Sequence, residues 1–230
     1  MAKLFARTNP TRVAAADSVA VIGLGRFGSA LALELMASGT DVLGIDGNEE
    51  IVQRHNGLLT HVVRADSTNI ETLRQLSVPE FDRVVVAIGG DIQASILTTA
   101  LLLKMKIPTI WAKAVSDPHG EILNQLGVHH IVYPEKDMGQ RVAHLVRGAM
   151  QDYVEVGEDF ALVKTTPPKT IVGVTLGESR VRAIHNVTIS AYYRPGRGWD
   201  YTTLETVIEE DDIILVAGKP SKVESFSQLR

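Results

Sequence analysis

Three glycines at the spacing G-x-G-x-x-G point most directly to chemistry in this chain. Gly23, Gly25 and Gly28 follow a short β-branched apolar run, and a helical pattern begins directly after them. The first glycine permits a sharp turn off a strand, the second lets backbone amides approach a diphosphate, and the third lets the helix pack closely on the sheet. The helix start offers free N–H groups to phosphates. The stretch predicts a mononucleotide or dinucleotide site, against the alternative of a glycine turn that only packs.

Two polar residues after the next apolar run are positioned to bind a ribose. Asp46 ends the predicted second strand, about 18 residues beyond Gly28, where a carboxylate reaches the ribose hydroxyls of an adenosine. The alternative is an aspartate that caps the following turn. Asn48 is close enough in sequence to share the ribose contact.

Asp66 follows the third predicted strand and is expected near the adenine edge, together with Ser67 or Thr68. A plain helix N-cap role for Asp66 is equally compatible with the sequence.

Arg26 occupies a position between the second and third glycines where many hydride-transfer enzymes carry small or apolar residues. A guanidinium there projects from the phosphate-binding turn and can clamp a terminal phosphate bidentately, in its own subunit or in a neighbouring one. The alternative is a solvated surface arginine.

Residues at the ends of the later strands complete the candidate site. Ala87, Ile88 and Gly89 end the fourth predicted strand and should face the nucleotide from the other side. Lys113 ends the fifth strand. Its predicted role is a contact to phosphate or to an acidic partner, and the alternative is a structural ion pair. Glu135 follows the sixth strand. It is predicted to bind a divalent cation, and the alternative is an acid that the dipole of the next helix stabilises.

A catalytic constellation is missing from the sequence. Tyr133 and Lys136 are one residue too close for a Tyr-x-x-x-Lys pair, and a proline separates them. His129 and His130 enter a strand, where packing is the simpler role, and no helix carries the two-histidine spacing of a metal site. We therefore expect a protein that is not an enzyme. The alternative is an NAD(P)-dependent oxidoreductase that uses the same site.

The order of the elements predicts the fold class. Apolar runs alternate with helical patterns through six strands with short connections, which indicates a Rossmann-like doubly wound parallel sheet of order 3-2-1-4-5-6. A connector helix is predicted from about residue 137 to 150. The later predicted strands lie at residues 154–163, 189–193 and 212–216, with short helices at 174–184 and 221–229.

These patterns divide the chain into an α/β half and a smaller α+β domain. The predicted parts are an extension at residues 1–16, a nucleotide-binding domain with its connector helix at 17–150, and a second domain at 151–230.

Composition excludes several classes of protein. The 230 residues include no cysteine, so disulfides and thiolate metal sites are absent, and the net charge of -4 gives no sign of a nucleic-acid-binding face. No apolar run has the length of a secretory signal core or a membrane span. We expect a cytoplasmic protein that reaches a membrane only through a partner.

Four segments together resemble the RCK proteins, and more narrowly the KtrA/TrkA regulatory subunits of bacterial potassium uptake systems. They are residues 21–28 (VIGLGRFG), 86–95 (VAIGGDIQAS), 110–114 (IWAKA) and 134–139 (PEKDMG). The resemblance implies an octameric cytosolic ring, a tetramer of dimers, beneath a membrane subunit that translocates potassium.

The same resemblance implies the ligands. ATP and ADP, and in some members NAD(H), would compete for the glycine turn, which includes Phe27 among its contacts. Arg26 would touch the terminal phosphate across the dimer, and Glu135 would hold a divalent cation such as Mg²⁺ or Ca²⁺ nearby. The family's C-terminal domain often binds cyclic di-AMP at its dimer interface, and residues 184–189 are the matching region here.

Overall fold

The computed structural model describes residues 18–147, 150–157 and 159–229, so the predicted extension at residues 1–16 lies outside the described part. The chain divides into two compact units, Met1–Glu135 and Lys136–Arg230. Each unit has its own sheet.

The first unit contains a six-stranded parallel sheet of order β3-β2-β1-β4-β5-β6, which confirms the predicted Rossmann-like topology. Its strands are β1 Ser18–Ile22, β2 Asp41–Asp46, β3 His61–Arg64, β4 Arg83–Val86, β5 Thr109–Lys113 and β6 His130–Val132. The helices that follow the first five strands are α1 Arg26–Ala37, α2 Glu49–His55, α3 Ile70–Gln75, α4 Ile92–Lys104 and α5 Asp117–Leu126. Helix α6 Pro134–Arg147 follows β6, and from Lys136 onward it belongs to the second unit.

Both faces of this sheet are buried, because its strands carry apolar side chains in both directions. In β1, Ala20 and Ile22 join a core with Leu73, Leu102 and Leu123, which come from helices α3, α4 and α5. The alternate residues Val19 and Val21 join a second core with Ala32 of α1. The sheet therefore lies between two helical layers, and its carboxyl edge is left open for a ligand.

Helix α6 differs from its predicted bounds. It begins at Pro134 rather than near residue 137, and Met150 belongs to the next strand. Proline is favoured in the first turn of a helix, because its fixed φ suits the helix and its missing N–H would have had no partner there. The motif at residues 134–139 is therefore the first part of a helix.

The second unit contains a five-stranded sheet of order β10-β9-β11-β8-β7, in which all neighbours are antiparallel. The elements are β7 Met150–Glu155, β8 Ala161–Thr165, α7 Leu176–Ser179, α8 Val181–His185, β9 Val187–Arg194, β10 Gly198–Tyr201, β11 Ile213–Gly218 and α9 Pro220–Ser227. Val223 and Phe226 of α9 pack into its core.

The single strand predicted for residues 154–163 is wrong, because the chain forms a hairpin of β7 and β8 there. The amide of Val156 donates to the carbonyl of Phe160 at 2.7 Å, and Gly157 has a φ of +73° that favours glycine. Alternating apolar residues on both sides of the turn imitate one continuous strand.

A buried ion pair fixes the approach to β11. The guanidinium of Arg194 donates to both carboxylate oxygens of Asp212, from Nε at 2.9 Å and from an Nη at 2.7 Å. Asp212 is 1% exposed and also accepts the amide of Glu209. The Arg194 hydrogen bonds hold the pKa of Asp212 below its ordinary value. A bidentate pair of this kind stabilises one geometry of the turn.

The Asp212→Ala substitution is expected to lower the free energy of unfolding of this unit by about 2 kcal/mol, because it removes two charge-assisted hydrogen bonds from a largely buried guanidinium, which keeps Glu209 and the carbonyl of Val207 as partners. Chemical denaturation at pH 7, followed by the fluorescence of Trp199 in a Trp111→Phe background, measures the loss. The exposed neighbour gives the control, since Asp211→Ala should change little. A loss below about 1 kcal/mol for Asp212→Ala contradicts a stabilising pair.

The stabilisation by Asp212 also sets a pH dependence. A carboxyl whose folded-state pKa is depressed contributes its full stability above the unfolded pKa of about 3.9, and loses it as the pH falls through the lower folded value. The gap in stability between the wild type and Asp212→Ala should therefore narrow only below about pH 4.

Candidate functional site

A cleft of about 800 Å³ opens at the carboxyl ends of β1, β2, β3 and β4. This is the point where the strand order reverses, the usual ligand position in an open α/β sheet. Its lining includes eight of the predicted site residues: Gly23, Gly25, Asp46, Asp66, Ser67, Ala87, Ile88 and Gly89.

The glycine turn has the geometry that the G-x-G-x-x-G spacing predicts. A Cβ on Gly28 would lie 1.9 Å from the carbonyl oxygen of Gly23, and Gly23 itself has a φ of +93°. A Cβ on Gly25, by contrast, would meet nothing within 4 Å. Gly23 and Gly28 are thus required by the protein's own packing, whereas Gly25 keeps open the space at the start of α1.

Asp46 connects the glycine turn to the turn that follows β2. Its Oδ2 accepts the amide of Leu24 at 2.7 Å, and its Oδ1 accepts the amide of Asn48 at 2.8 Å. An ionised carboxylate has about four acceptor positions, so each oxygen retains capacity for a hydroxyl. The Asn48 side chain does not line the cleft; its Oδ1 caps helix α2 by accepting the amide of Glu50 at 2.8 Å.

Asp66 and Ser67 lie on the opposite wall from the glycine turn. Asp66 accepts both the amide and the hydroxyl of Thr68, at 2.9 and 2.6 Å, and these hydrogen bonds lower its pKa. The hydroxyl of Ser67 is buried and shares a hydrogen bond of 2.9 Å with Thr98 of α4. Asp66 therefore keeps a negative edge toward the cleft, while the Ser67 hydroxyl is committed to the helix behind it.

Lys113 and Glu135 form an ion pair beside the glycine turn. The Lys113 side chain is 9% exposed, and its Nζ lies 2.6 Å from Oε1 of the exposed Glu135. The same ammonium stands 5.8 Å from the centre of the Phe27 ring, within cation–π range. It also lies 3.1 Å from the position that a Cβ on Gly89 would take. The missing side chain of Gly89 thus gives the lysine its room.

The pKa of Glu135 is lowered, first by the hydrogen bond from Lys113 and further by the positive charge of Arg26. Arg26 is exposed at the first position of α1. Because the charge of Arg26 affects Glu135, the sheet brings together three charged side chains from distant parts of the sequence. Two cations and one carboxylate give this group of three side chains a net positive charge, which favours an anion.

Glu135 fits a cation only in combination with other ligands. Among the described residues, no group of three or more His, Cys, Asp or Glu side chains is placed to hold a metal ion. Mg²⁺ in nucleotide sites commonly takes one or two carboxylates together with phosphate oxygens and water. One exposed carboxylate oxygen near the phosphate end meets that description.

Arg64 lines the cleft, and sequence reasoning missed it. It is the last residue of β3 and pairs in register with Asp46 of β2. A basic residue at the carboxyl end of the strand next to the ribose acid is the signal that would have identified it. The lining residues Gly47 and Asp91 were also not predicted as site residues.

Family comparison decides the identity of this arrangement. The TrkA-N domain family matches residues 19–134, and the TrkA-C domain family matches residues 160–229. The chain belongs to the KtrA/TrkA family of potassium uptake regulators. Its TrkA-N segment contains the glycine turn, Asp46, Asp66 and Lys113, and ends directly before Glu135.

Curated relatives of this KtrA/TrkA-type chain are similar to it in sequence over nearly its whole length. It is 38% identical to Ktr system potassium uptake protein C of Bacillus subtilis (strain 168), with 91% of this chain and 95% of the relative covered. Identity to Ktr system potassium uptake protein A is 35% in Bacillus subtilis (strain 168) and 33% in Vibrio alginolyticus, with 90% and 89% of this chain and 94% and 93% of those relatives covered.

Solved structures show the same fold. The RCK domain of GsuK superposes with a TM-score of 0.64 at 18% identity, over 92% of this chain and 48% of that one. The GsuK channel bound to NAD gives 0.63 at 16% identity, over 93% of this chain and 39% of that one. Within the described ranges of this KtrA/TrkA-type chain, no helix has the length and hydropathy to cross a bilayer.

Proposed function

We propose that this chain is a nucleotide-sensing, non-catalytic subunit that gates a membrane potassium transporter of the Ktr type. The observation that carries the proposal is the open space above Gly25, opposite Asp46, in a turn whose other glycines are fixed by packing. That space lies at the start of helix α1, where a diphosphate can meet the free N–H groups of the helix. Potassium transport is proposed as the regulated process because the chain belongs to a family of potassium uptake regulators.

We propose a single orientation for an adenine nucleotide in the cleft. The ribose hydroxyls bind Asp46, the diphosphate lies on the amides from Gly23 to Gly28, and the base lies toward Asp66. Ala87 and Ile88 cover the nucleotide from the β4 side. ATP and ADP are the proposed ligands, and NAD(H) is the third candidate, because the GsuK channel has been solved bound to NAD.

The terminal phosphate is proposed to bind where Arg26, Lys113 and Glu135 meet. Arg26 is exposed, so its guanidinium is free to reach the phosphate of a neighbouring protomer and clamp it bidentately. Lys113 then forms its ion pair with the phosphate instead of with Glu135, and Glu135 and the phosphate bind the same divalent cation. ADP lacks the phosphate on which these contacts depend.

Such contacts give the nucleotide its regulatory effect. A ligand shifts an equilibrium between two shapes only through its different affinity for each. A ~100-fold preference for one shape supplies about 2.7 kcal/mol at each site. We propose that eight protomers form a ring, a tetramer of dimers on the cytoplasmic side of a potassium-translocating subunit, and that ATP favours the active shape.

The second unit is proposed to take a further ligand, with cyclic di-AMP as the candidate. The region implied by the resemblance forms the end of α8 and the start of β9. Ile184 is 60% exposed there, and Asn186 has a φ of +56°. An exposed aliphatic side chain next to a turn suits a base that packs between two copies.

The purified full chain is expected to bind ATP and ADP with 1:1 stoichiometry per protomer in calorimetry. Its mass in solution, measured by light scattering, should be eight times that of the protomer. Potassium uptake by vesicles that contain the membrane subunit should increase when this chain is added with ATP rather than ADP. Oxidation of NADH or NADPH by the purified chain would contradict the proposed sensor function and favour an oxidoreductase.

A further inference from the structure

Arg64 stands beside the proposed ribose site without a role in it. It is the register partner of Asp46 across the parallel strands, and the amide of Ala65 donates to the carbonyl of Asp46 at 3.0 Å. Partners in neighbouring parallel strands project to the same side of the sheet. The side chain of Arg64 therefore enters the cleft next to the carboxylate that would hold a ribose.

The guanidinium of Arg64 is held at one edge. Its Nε donates to the carbonyl of Gly47 at 3.2 Å, and one Nη lies 3.7 Å from the carboxylate of Glu49 at the start of α2. The side chain is nevertheless 62% exposed. These contacts orient the planar group toward the β2–α2 turn, and most of its surface remains open to the cleft and solvent.

We propose that Arg64 is a base-binding residue that stacks its guanidinium on the purine base of the bound nucleotide. The inference rests on the proposed nucleotide site. With the ribose on Asp46, the base extends along the cleft wall from β2 to β3, where Arg64 is the first side chain. Guanidinium planes stack on aromatic faces, and one that is held by other hydrogen bonds loses less side-chain entropy in doing so.

A second chemistry is available to an arginine at this position. In some dinucleotide sites an arginine near the ribose binds a 2′-phosphate. Here the Asp46 carboxylate lies directly beside Arg64 and would repel that phosphate. The 2′-phosphate role is therefore an outcome that would overturn the proposal.

Calorimetry with ATP, ADP, AMP and tripolyphosphate separates the base from the phosphates, and calorimetry with NAD and NADP tests for a contact to a 2′-phosphate. The Arg64→Ala substitution should lower the affinity for ATP, ADP and AMP by the same factor, about tenfold. The affinity for tripolyphosphate should not change. The Arg64→Lys substitution should lose nearly as much, because an ammonium keeps the charge without the plane. Arg74→Ala removes an equally exposed arginine, paired with Glu71 on α3 outside the cleft, and should bind like the wild type.

Four results would overturn the stacking role: unchanged affinity in Arg64→Ala, a larger loss for ATP than for AMP, full affinity in Arg64→Lys, or a loss for NADP greater than for NAD. Failure of the wild type to bind any adenine nucleotide would instead overturn the proposed function. Equal thermal unfolding of Arg64→Ala and the wild type shows that a change in affinity is not a loss of fold.

Discussion

The Gly28→Ala substitution is expected to destabilise the first unit by about 3 kcal/mol and to abolish nucleotide binding. The added Cβ would lie 1.9 Å from the Gly23 carbonyl oxygen and 3.0 Å from the Cβ of Ala87, so backbone must move. That movement separates α1 from the sheet edge that shapes the phosphate turn. Denaturation followed by Trp111 fluorescence, in a Trp199→Phe background, measures the loss.

Gly25→Ala is the matched control, because it places the same methyl group three residues away in open space. It should cost less than about 1 kcal/mol, the usual range for a changed N-cap residue, and still weaken ATP and ADP at least tenfold. Nucleotide affinity equal to the wild type in Gly25→Ala would show that phosphates do not approach this residue. Stability unaffected by Gly28→Ala would show that the turn can relax.

The Arg26→Ala substitution is expected to weaken ATP binding by about 10- to 100-fold, the value of a charge-assisted hydrogen bond, and ADP binding by less than about threefold. The proposed contact is with the terminal phosphate of ATP, which ADP lacks. Calorimetry on the assembled protein, with both nucleotides at one salt concentration, measures the difference.

Arg26→Lys tests the geometry of that contact, since lysine keeps the charge but cannot form the two parallel hydrogen bonds. It should recover part of the ATP affinity. Equal losses for ATP and ADP in Arg26→Ala would place the guanidinium elsewhere than the terminal phosphate. Arg74→Ala again serves as the exposed arginine that should have no effect.

The sequence predicts the sheet and the near end of the site because both depend on local patterns. Alternation of buried strands and helices determines the strand order, which the structure confirms. The glycine spacing and the acid at the end of β2 lie within about 25 residues of one another. Their relation is contained in a single β-α-β unit, which has one handedness.

The far end of the site depends on tertiary contacts that no local pattern encodes. Phe27, Gly89, Lys113 and Glu135 come from four different strand ends, and only their packing joins an ammonium to a ring and a carboxylate. Each residue was predicted as a site residue on its own, and the ion pair was one of two alternatives for Lys113. In the second unit, alternating residues on both sides of Gly157 concealed a turn.

The hydrogen bond from the Leu24 amide to Asp46 joins the glycine turn to the end of β2 in the free protein, so the proposed phosphate and ribose contacts are held together before a ligand binds. The entropy of ordering them is already lost before a nucleotide arrives, and exchange of one nucleotide for another need not rebuild this region. ATP and ADP would meet the same adenosine and diphosphate surfaces with the same affinity. Under the proposed function, the difference between the two nucleotides would then be detected at the terminal phosphate, where Arg26 is proposed to reach a neighbouring protomer.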